Sequence, residues 1–192
     1  MINERNFIEN KKHTMKKLEI AKKENKVDTG IISILDIINS YDEYYTSSSC
    51  YGRIVLLELP ELGDKKNAKW LGKWHRQIQS DELVKAFTNA EKGMLWLLAQ
   101  SPIIHVFSKD FESADKLVKT AVSCGFKHSG FKTTDKNIIV EIASTERLDS
   151  PVGKDKVLFY NKNHVDFLVD IANDIFQKSN SKLIRLRDKL DK

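Results

Sequence analysis

Segments with strand character come in runs in this chain, and that grouping constrains the fold more than any other feature. Tyr44 to Leu59 is rich in aromatic and β-branched residues and stops at Pro60, and Arg53 to Leu59 within it reads as a buried strand. Trp70 to Ile78 alternates loosely and suggests another strand after a polar loop from Pro60 to Ala68. Met94 to Leu98 and Ile103 to Phe107 are apolar runs of strand length separated around Pro102. Phe126 to Thr133 and Ile138 to Ala143 read as a hairpin closed by Thr134-Asp135-Lys136-Asn137. Leu148 to Lys156, with Pro151 and Gly153, reads as a loop. Helical spacing marks residues 4–24 and a helix behind Asp28 through Ile31, Ile34, Leu35 and Ile38. It recurs in a short helix from Ser80, in a helix through Leu117 and Ala121 stopped by Gly125, and in a long final helix at about 161–190. Strict βαβ alternation is missing, so the expectation is α+β: a mixed, largely antiparallel sheet flanked by helices, not a Rossmann fold. One domain is expected over 1–192, with an N-terminal helical segment at 1–26.

Composition excludes several classes. With 41% hydrophobic and 31% charged residues, the 192-residue chain has a globular balance. No apolar run approaches the roughly 18 residues a membrane span needs, so no membrane partner is expected. The start lacks the basic-then-apolar design of a secretory signal. Cys50 and Cys124 form no CxxC pair, and His13, His75, His105, His128 and His164 show no HExxH spacing. A cytoplasmic setting and the absence of a metal site are therefore expected. The net charge of +5 permits a polyanion partner, and lysines and arginines crowd both terminal segments.

Among chemistry-bearing motifs, there is no GxG turn, no P-loop and no GxSxG elbow. What stands out is Ser47-Ser48-Ser49-Cys50-Tyr51-Gly52-Arg53, read as a turn ahead of the strand from Arg53. Small hydroxyls and a glycine leave backbone donors available, which suits a nest for a carboxylate or phosphate, with Arg53 able to grip either anion. A strand-entry turn whose serines satisfy their own backbone fits the same residues.

The surrounding segments resemble the tRNA wybutosine-synthesising protein 3 family. That family carries Thr-Ser-Ser-Cys-small-Gly-Arg-Ile after an aromatic pair; here Tyr44-Tyr45-Thr46 leads to Ser48-Ser49-Cys50-Tyr51-Gly52-Arg53-Ile54. In the same order follow likenesses at Val27-Asp28, Asn39, Trp70-Leu71 with His75, and Ile103-Ile104-His105-Val106. Gly125-Phe126-Lys127-His128-Ser129-Gly130, Ser144-Thr145 with Leu148 and Pro151, and Ala172-Asn173 complete the series. Departures fall at Tyr51, where the family has a small residue, at Leu98 and Gln100 (Lys and Glu), at Ala143 (Arg) and at Lys127-His128 (Arg-Asn).

The resemblance implies an enzyme that moves a methyl group from S-adenosylmethionine to N4 of a tricyclic, guanosine-derived base at position 37 of phenylalanine tRNA, in its anticodon loop. The sulfonium methyl is already activated, so the protein's task is alignment and removal of a proton. Asp28, His75 and His105 are the candidate bases, although Asp28 also suits an N-cap and His105 a core histidine. Ser48, Ser49, Gly52 and Arg53, with Ser129 and Gly130 in a second donor-rich turn, are the candidate cofactor contacts. Cys50 reads as a packing residue. Trp70, Trp74 and Trp96 read as core, with one available to stack on the base. A non-catalytic RNA-binding module on the same fold is the alternative. A serine–histidine hydrolase ranks below it for want of an elbow.

Overall fold

The computed structural model describes residues 4–64 and 66–192. Met1 to Asn3, the start of the expected N-terminal helical segment, and Lys65, in the expected loop after Pro60, lie outside the described residues. The chain divides into two compact units. One holds the chain up to Tyr51, Pro102–Thr145 and Asn180–Lys192; the other holds Gly52–Ser101 and Glu146–Ser179. Each is built on its own antiparallel sheet, and the fold is α+β as the grouped strands predict.

The first unit contains α1 (Glu4–Lys23), α2 (Ile32–Ser40) and β1 (Tyr44–Cys50). It also contains β5 (Ile103–Ser108), α4 (Phe111–Ser123), β6 (Gly130–Thr133) and β7 (Ile138–Ala143), along with the last turns of α5 (Lys162–Leu190). Its sheet runs β1-β5-β7-β6. Strict alternation on β5 and β7 buries Ile104, Val106, Val140 and Ile142 on one face, beneath Ile34, Leu35 and Ile38 of α2 and Leu117 and Ala121 of α4. Leu183, Leu186 and Leu190 of α5 join the same core. The Asp110 carboxylate accepts the Ser113 N–H at 2.8 Å and starts α4, and Gly125 takes φ 102 beyond its end. On the opposite face Tyr45 stacks on Phe107 at 4.7 Å, and Phe7, the buried residue of α1, packs on Tyr45 at 5.1 Å. Burying that ring stabilises by about 1.5–3 kcal/mol.

The second unit contains β2 (Arg53–Leu59), β3 (Lys69–Trp74), α3 (Ser80–Phe87) and β4 (Met94–Gln100). β8 (Arg147–Lys154), β9 (Val157–Leu158) and the first turns of α5 complete it. Its sheet runs β3-β2-β4-β8-β9. Ile54, Leu56, Leu95 and Leu97 are fully buried on the face that α3 covers. The Asn173 amide of α5 bonds both the N–H and the C=O of Ile78 at 2.9 Å, fixing the chain just ahead of α3.

Three expectations change. The serine segment is strand, not turn, because Thr46 to Cys50 pairs with β5. Leu148 to Lys156 is not a loop, since Arg147–Lys154 pairs along all of β4. Pro151, opposite Trp96, and Gly153, opposite Leu95, flank a bulge at Val152, the kind of irregularity at which strands tolerate proline and glycine. β3 ends at Trp74 rather than Ile78, because Ile78 bonds to Asn173 instead of a strand neighbour. In addition, Asp28 is followed by a short 3₁₀ turn, Thr29–Ile31, and its side chain makes no cap bond.

Candidate active site

In the first unit, a bulge between Thr46 and Ser48 turns a plain strand into a chemical surface. Thr46 faces Val106 and points inward; one residue is looped out, and Ser48 then faces His105 on the outer side. Asn39 holds the chain at that point, its amide accepting the Thr46 N–H and donating to the Thr46 hydroxyl, both at 2.8 Å. His105 pairs with Glu141, and Glu141 with Gly130, so Ser48, His105, Glu141 and Gly130 form one row across four strands. Ser48 Oγ lies 2.7 Å from His105 Nδ1, and His105 Nε2 lies 2.9 Å from a Glu141 carboxylate oxygen. Gly130 leaves the end of the row uncovered: a Cβ built there meets nothing within 4 Å. His105 is thus neither a core histidine nor an isolated base. It is the middle member of a hydrogen-bonded chain, an arrangement able to move a proton.

The other residues of the first unit have different roles. Ser49 pairs with Ile104 and is half-buried. The Ser129 hydroxyl accepts the Ala143 N–H at 3.2 Å, and its own N–H donates to the Phe126 carbonyl. Those bonds engage the Ser129 N–H and use its hydroxyl oxygen as an acceptor, which leaves the hydroxyl hydrogen available to donate. Asp28 holds the Tyr51 N–H at 2.9 Å and so fixes the chain where β1 ends. The Tyr51 ring lies against Gly30, where a Cβ would come within 2.4 Å of it. Gly30 therefore explains how a tyrosine is accommodated where the family pattern has a small residue. Burial raises the Tyr51 phenol above its usual range. Cys50 is half-buried on the outer edge of β1, and Cys124 is the buried cysteine.

In the second unit, Gly52 takes φ 94, and its carbonyl lies 2.9 Å from His75 Nδ1. A carbonyl only accepts, so that nitrogen carries the proton and His75 is oriented by the backbone. Arg53 Nε donates to Gln100 at 2.7 Å, and its guanidinium lies 4.8 Å from the Trp70 ring centre. The face opposite α3 forms an open cavity of about 530 Å³, lined among others by Arg53, Trp70, Trp96, Leu98, Arg147 and Asp149. A bulge between Leu56 and Leu57 puts Trp70 on this face with Leu57, while Gly72 and Trp74 pair with Leu56 and Ile54 on the other. Thus Trp70 and Trp96 line the cavity, and Trp74 lies on the core face. The Trp96 Nε1 is buried with no hydrogen-bond partner among the described residues, a donor whose desolvation costs about 1–3 kcal/mol. Arg147 pairs with Asp149 across the rim. Leu98 and Gln100 replace a lysine and a glutamate of the family pattern together. Both charges go, and Gln100 orients Arg53 without cancelling its charge.

Sequence reasoning missed Glu141, Arg147 and Asp149, and read Gln100 only as a departure from the family pattern. A lone acid in the apolar run Ile138 to Ala143 and a lone histidine in Ile103 to Phe107 were visible, but their pairing was not.

The family described as Methyltransferase TYW3 matches residues 9–192. A Pyrococcus horikoshii protein named tRNA(Phe) 7-((3-amino-3-carboxypropyl)-4-demethylwyosine(37)-N(4))-methyltransferase 1 is 46% identical, covering 97% of this chain and 95% of its own length. A Methanocaldococcus jannaschii protein named for the same reaction is 41% identical, covering 96% of this chain and 97% of its own. A solved Pyrococcus horikoshii structure superposes with a TM-score of 0.94 at 46% identity over 97% of both chains. One from Aeropyrum pernix gives 0.73 at 27% identity, over 85% of this chain and 98% of that one. With a family match across almost the whole length and relatives this similar, the chain belongs to the TYW3 methyltransferase family.

Proposed function

We propose that this protein methylates N4 of the demethylwyosine-type base at position 37 of phenylalanine tRNA, with S-adenosylmethionine as the donor. Its near full-length identity to archaeal proteins named for that reaction carries the reading. The residues present suit the donor. The cavity on the five-stranded sheet offers Arg53 and Arg147 for a carboxylate, Trp70 for an adenine, and Asp149 for ribose hydroxyls or an ammonium. Its volume falls in the range of small-molecule sites, roughly 300–1,000 Å³. When bound, the donor supplies an activated methyl group that needs no covalent help from the protein. The chain's own part is to orient the base and accept one proton, for which the row of Ser48, His105 and Glu141 is built.

The test is expression in yeast lacking its own family member, followed by mass analysis of the base beside the anticodon. A gain of one methyl group at that base is expected. Absence of methylation, together with no calorimetric binding of S-adenosylmethionine with or without phenylalanine tRNA, rejects the reading. Salt-sensitive tRNA binding without donor binding identifies a non-catalytic RNA-binding module instead.

A further inference from the structure

Methylation of a ring N–H releases one proton, and the structure limits which atom receives it. Both nitrogens of His105 are engaged, Nδ1 by Ser48 Oγ at 2.7 Å and Nε2 by Glu141 at 2.9 Å. An ionised carboxylate only accepts, so Nε2 carries the hydrogen; in a neutral imidazole Nδ1 is then the acceptor, and the Ser48 hydroxyl donates to it. The imidazole therefore has no nitrogen left for a substrate. The outermost atom of the chain is Ser48 Oγ, on an exposed residue, while the side chains of His105 and Glu141 behind it are about one-third exposed.

We infer that Ser48 Oγ, not the ring of His105, takes the proton from the nitrogen being methylated, and that Glu141 is the positioning residue that holds His105 in the tautomer able to receive the Ser48 proton. The inference rests on the methyl-transfer reading. The bookkeeping of atoms closes. The new N–C bond forms from the nitrogen lone pair as the C–S bond breaks, its electrons leaving with sulfur as a neutral thioether. The N–H proton passes to Ser48 Oγ while the Ser48 hydroxyl proton passes to His105 Nδ1. The resulting imidazolium is held by the Glu141 carboxylate and returns its proton to solvent after turnover. The bulge at Ser47 selects which serine serves, because in an unbroken register Ser47 faces His105 and Ser48 points to the core.

The experiment combines steady-state methylation, using labelled S-adenosylmethionine and tRNA from cells lacking the enzyme, with long-range ¹H–¹⁵N spectra of the histidine rings. Ser48→Ala, a change at an exposed position, is expected to lower kcat about 10²-fold while leaving both KM values within about threefold. Ser48→Thr restores the hydroxyl and recovers activity to within about fivefold. In wild-type protein His105 is expected as the Nε2–H tautomer. Glu141→Gln keeps an acceptor oxygen and keeps that tautomer, with an intermediate kcat. Glu141→Ala gives a tautomer mixture and a kcat lowered roughly tenfold or more. An active wild type with an unimpaired Ser48→Ala variant, or a His105 spectrum unmoved by Glu141→Ala, overturns the relay alone. A wild type that binds S-adenosylmethionine but transfers no methyl overturns the reading beneath it.

Discussion

The two sheets of this molecule expose faces of opposite character. On the four-stranded sheet the outer face carries polar groups that satisfy one another in a row: a hydroxyl, an imidazole and a carboxylate on three adjacent strands. On the five-stranded sheet the open face is aromatic and cationic, and it leaves the Trp96 indole N–H buried without a partner among the described residues. A completed hydrogen-bond chain is suited to moving a proton. An open cavity lined by aromatic rings and guanidinium groups is suited to holding a planar, anionic ligand. The two faces thus differ in what they suit, and each reading can be broken separately.

The largest effect on binding is expected at Arg53. Arg53→Ala removes a cation and the anchor of Gln100, and should weaken S-adenosylmethionine binding by roughly 30-fold or more in calorimetry, the scale of one lost charge-assisted contact. Arg53→Lys should recover only part of it, because an ammonium neither stacks on Trp70 nor keeps the planar Nε contact. A variant that binds the donor normally but loses kcat would reverse the division between the faces.

Tyr51 and Gly30 test the first unit's packing. Gly30→Ala should destabilise by about 1–3 kcal/mol in urea unfolding, since the added methyl meets the Tyr51 ring. Adding Tyr51→Ala should relieve most of that cost. Additive losses in the double variant would show that the ring is not the obstacle.

Trp96→Phe sharpens the second unit. Removing the unpaired donor should leave ligand-free Tm unchanged or higher, because an unmet N–H costs about 1–3 kcal/mol. A drop in Tm would show that the indole N–H is paired.

Titration gives the smallest signals, one from each unit. The Arg76 guanidinium, and then the Gln79 N–H, pull the Glu82 carboxyl down to about 2. Its folded value lies below its unfolded one, so its contribution is complete above about 4.5 and fades as pH falls toward 2. Glu82 is exposed, so Glu82→Gln should flatten acid unfolding only slightly. Burial raises the Tyr44 phenol to about 12, above its usual 10. Its contribution is intact below 10 and is lost as pH climbs through 12, so Tyr44→Phe should blunt alkaline unfolding there.

Much of the fold was legible in the chain. Periodicity located the five α-helices of the described residues to within a few residues, and the apolar runs predicted β2, β4, β5 and β7. Gly125 and Asn173 stood where a helix end and a polar anchor needed them. The ordered segments around Ser48, Arg53 and His105 were enough to suggest the family. Pro151, Gly153 and four small polar residues in succession masked β8 and β1, because local propensity speaks for turns where strand neighbours supply the ladder.

Composition, periodicity and segment order determined the α+β class and the residue types available for chemistry. Tertiary structure decided which of them meet. A strand reading assigns faces by odd and even positions, and a single bulge reverses the assignment for every residue beyond it. One bulge brought Ser48 to the face of His105, and another separated Trp70 from Trp74. Glu141 joined His105 only because β7 is its neighbour across the sheet. Those pairings depend on hydrogen bonds between strands distant in sequence, and no local pattern of side chains encodes them.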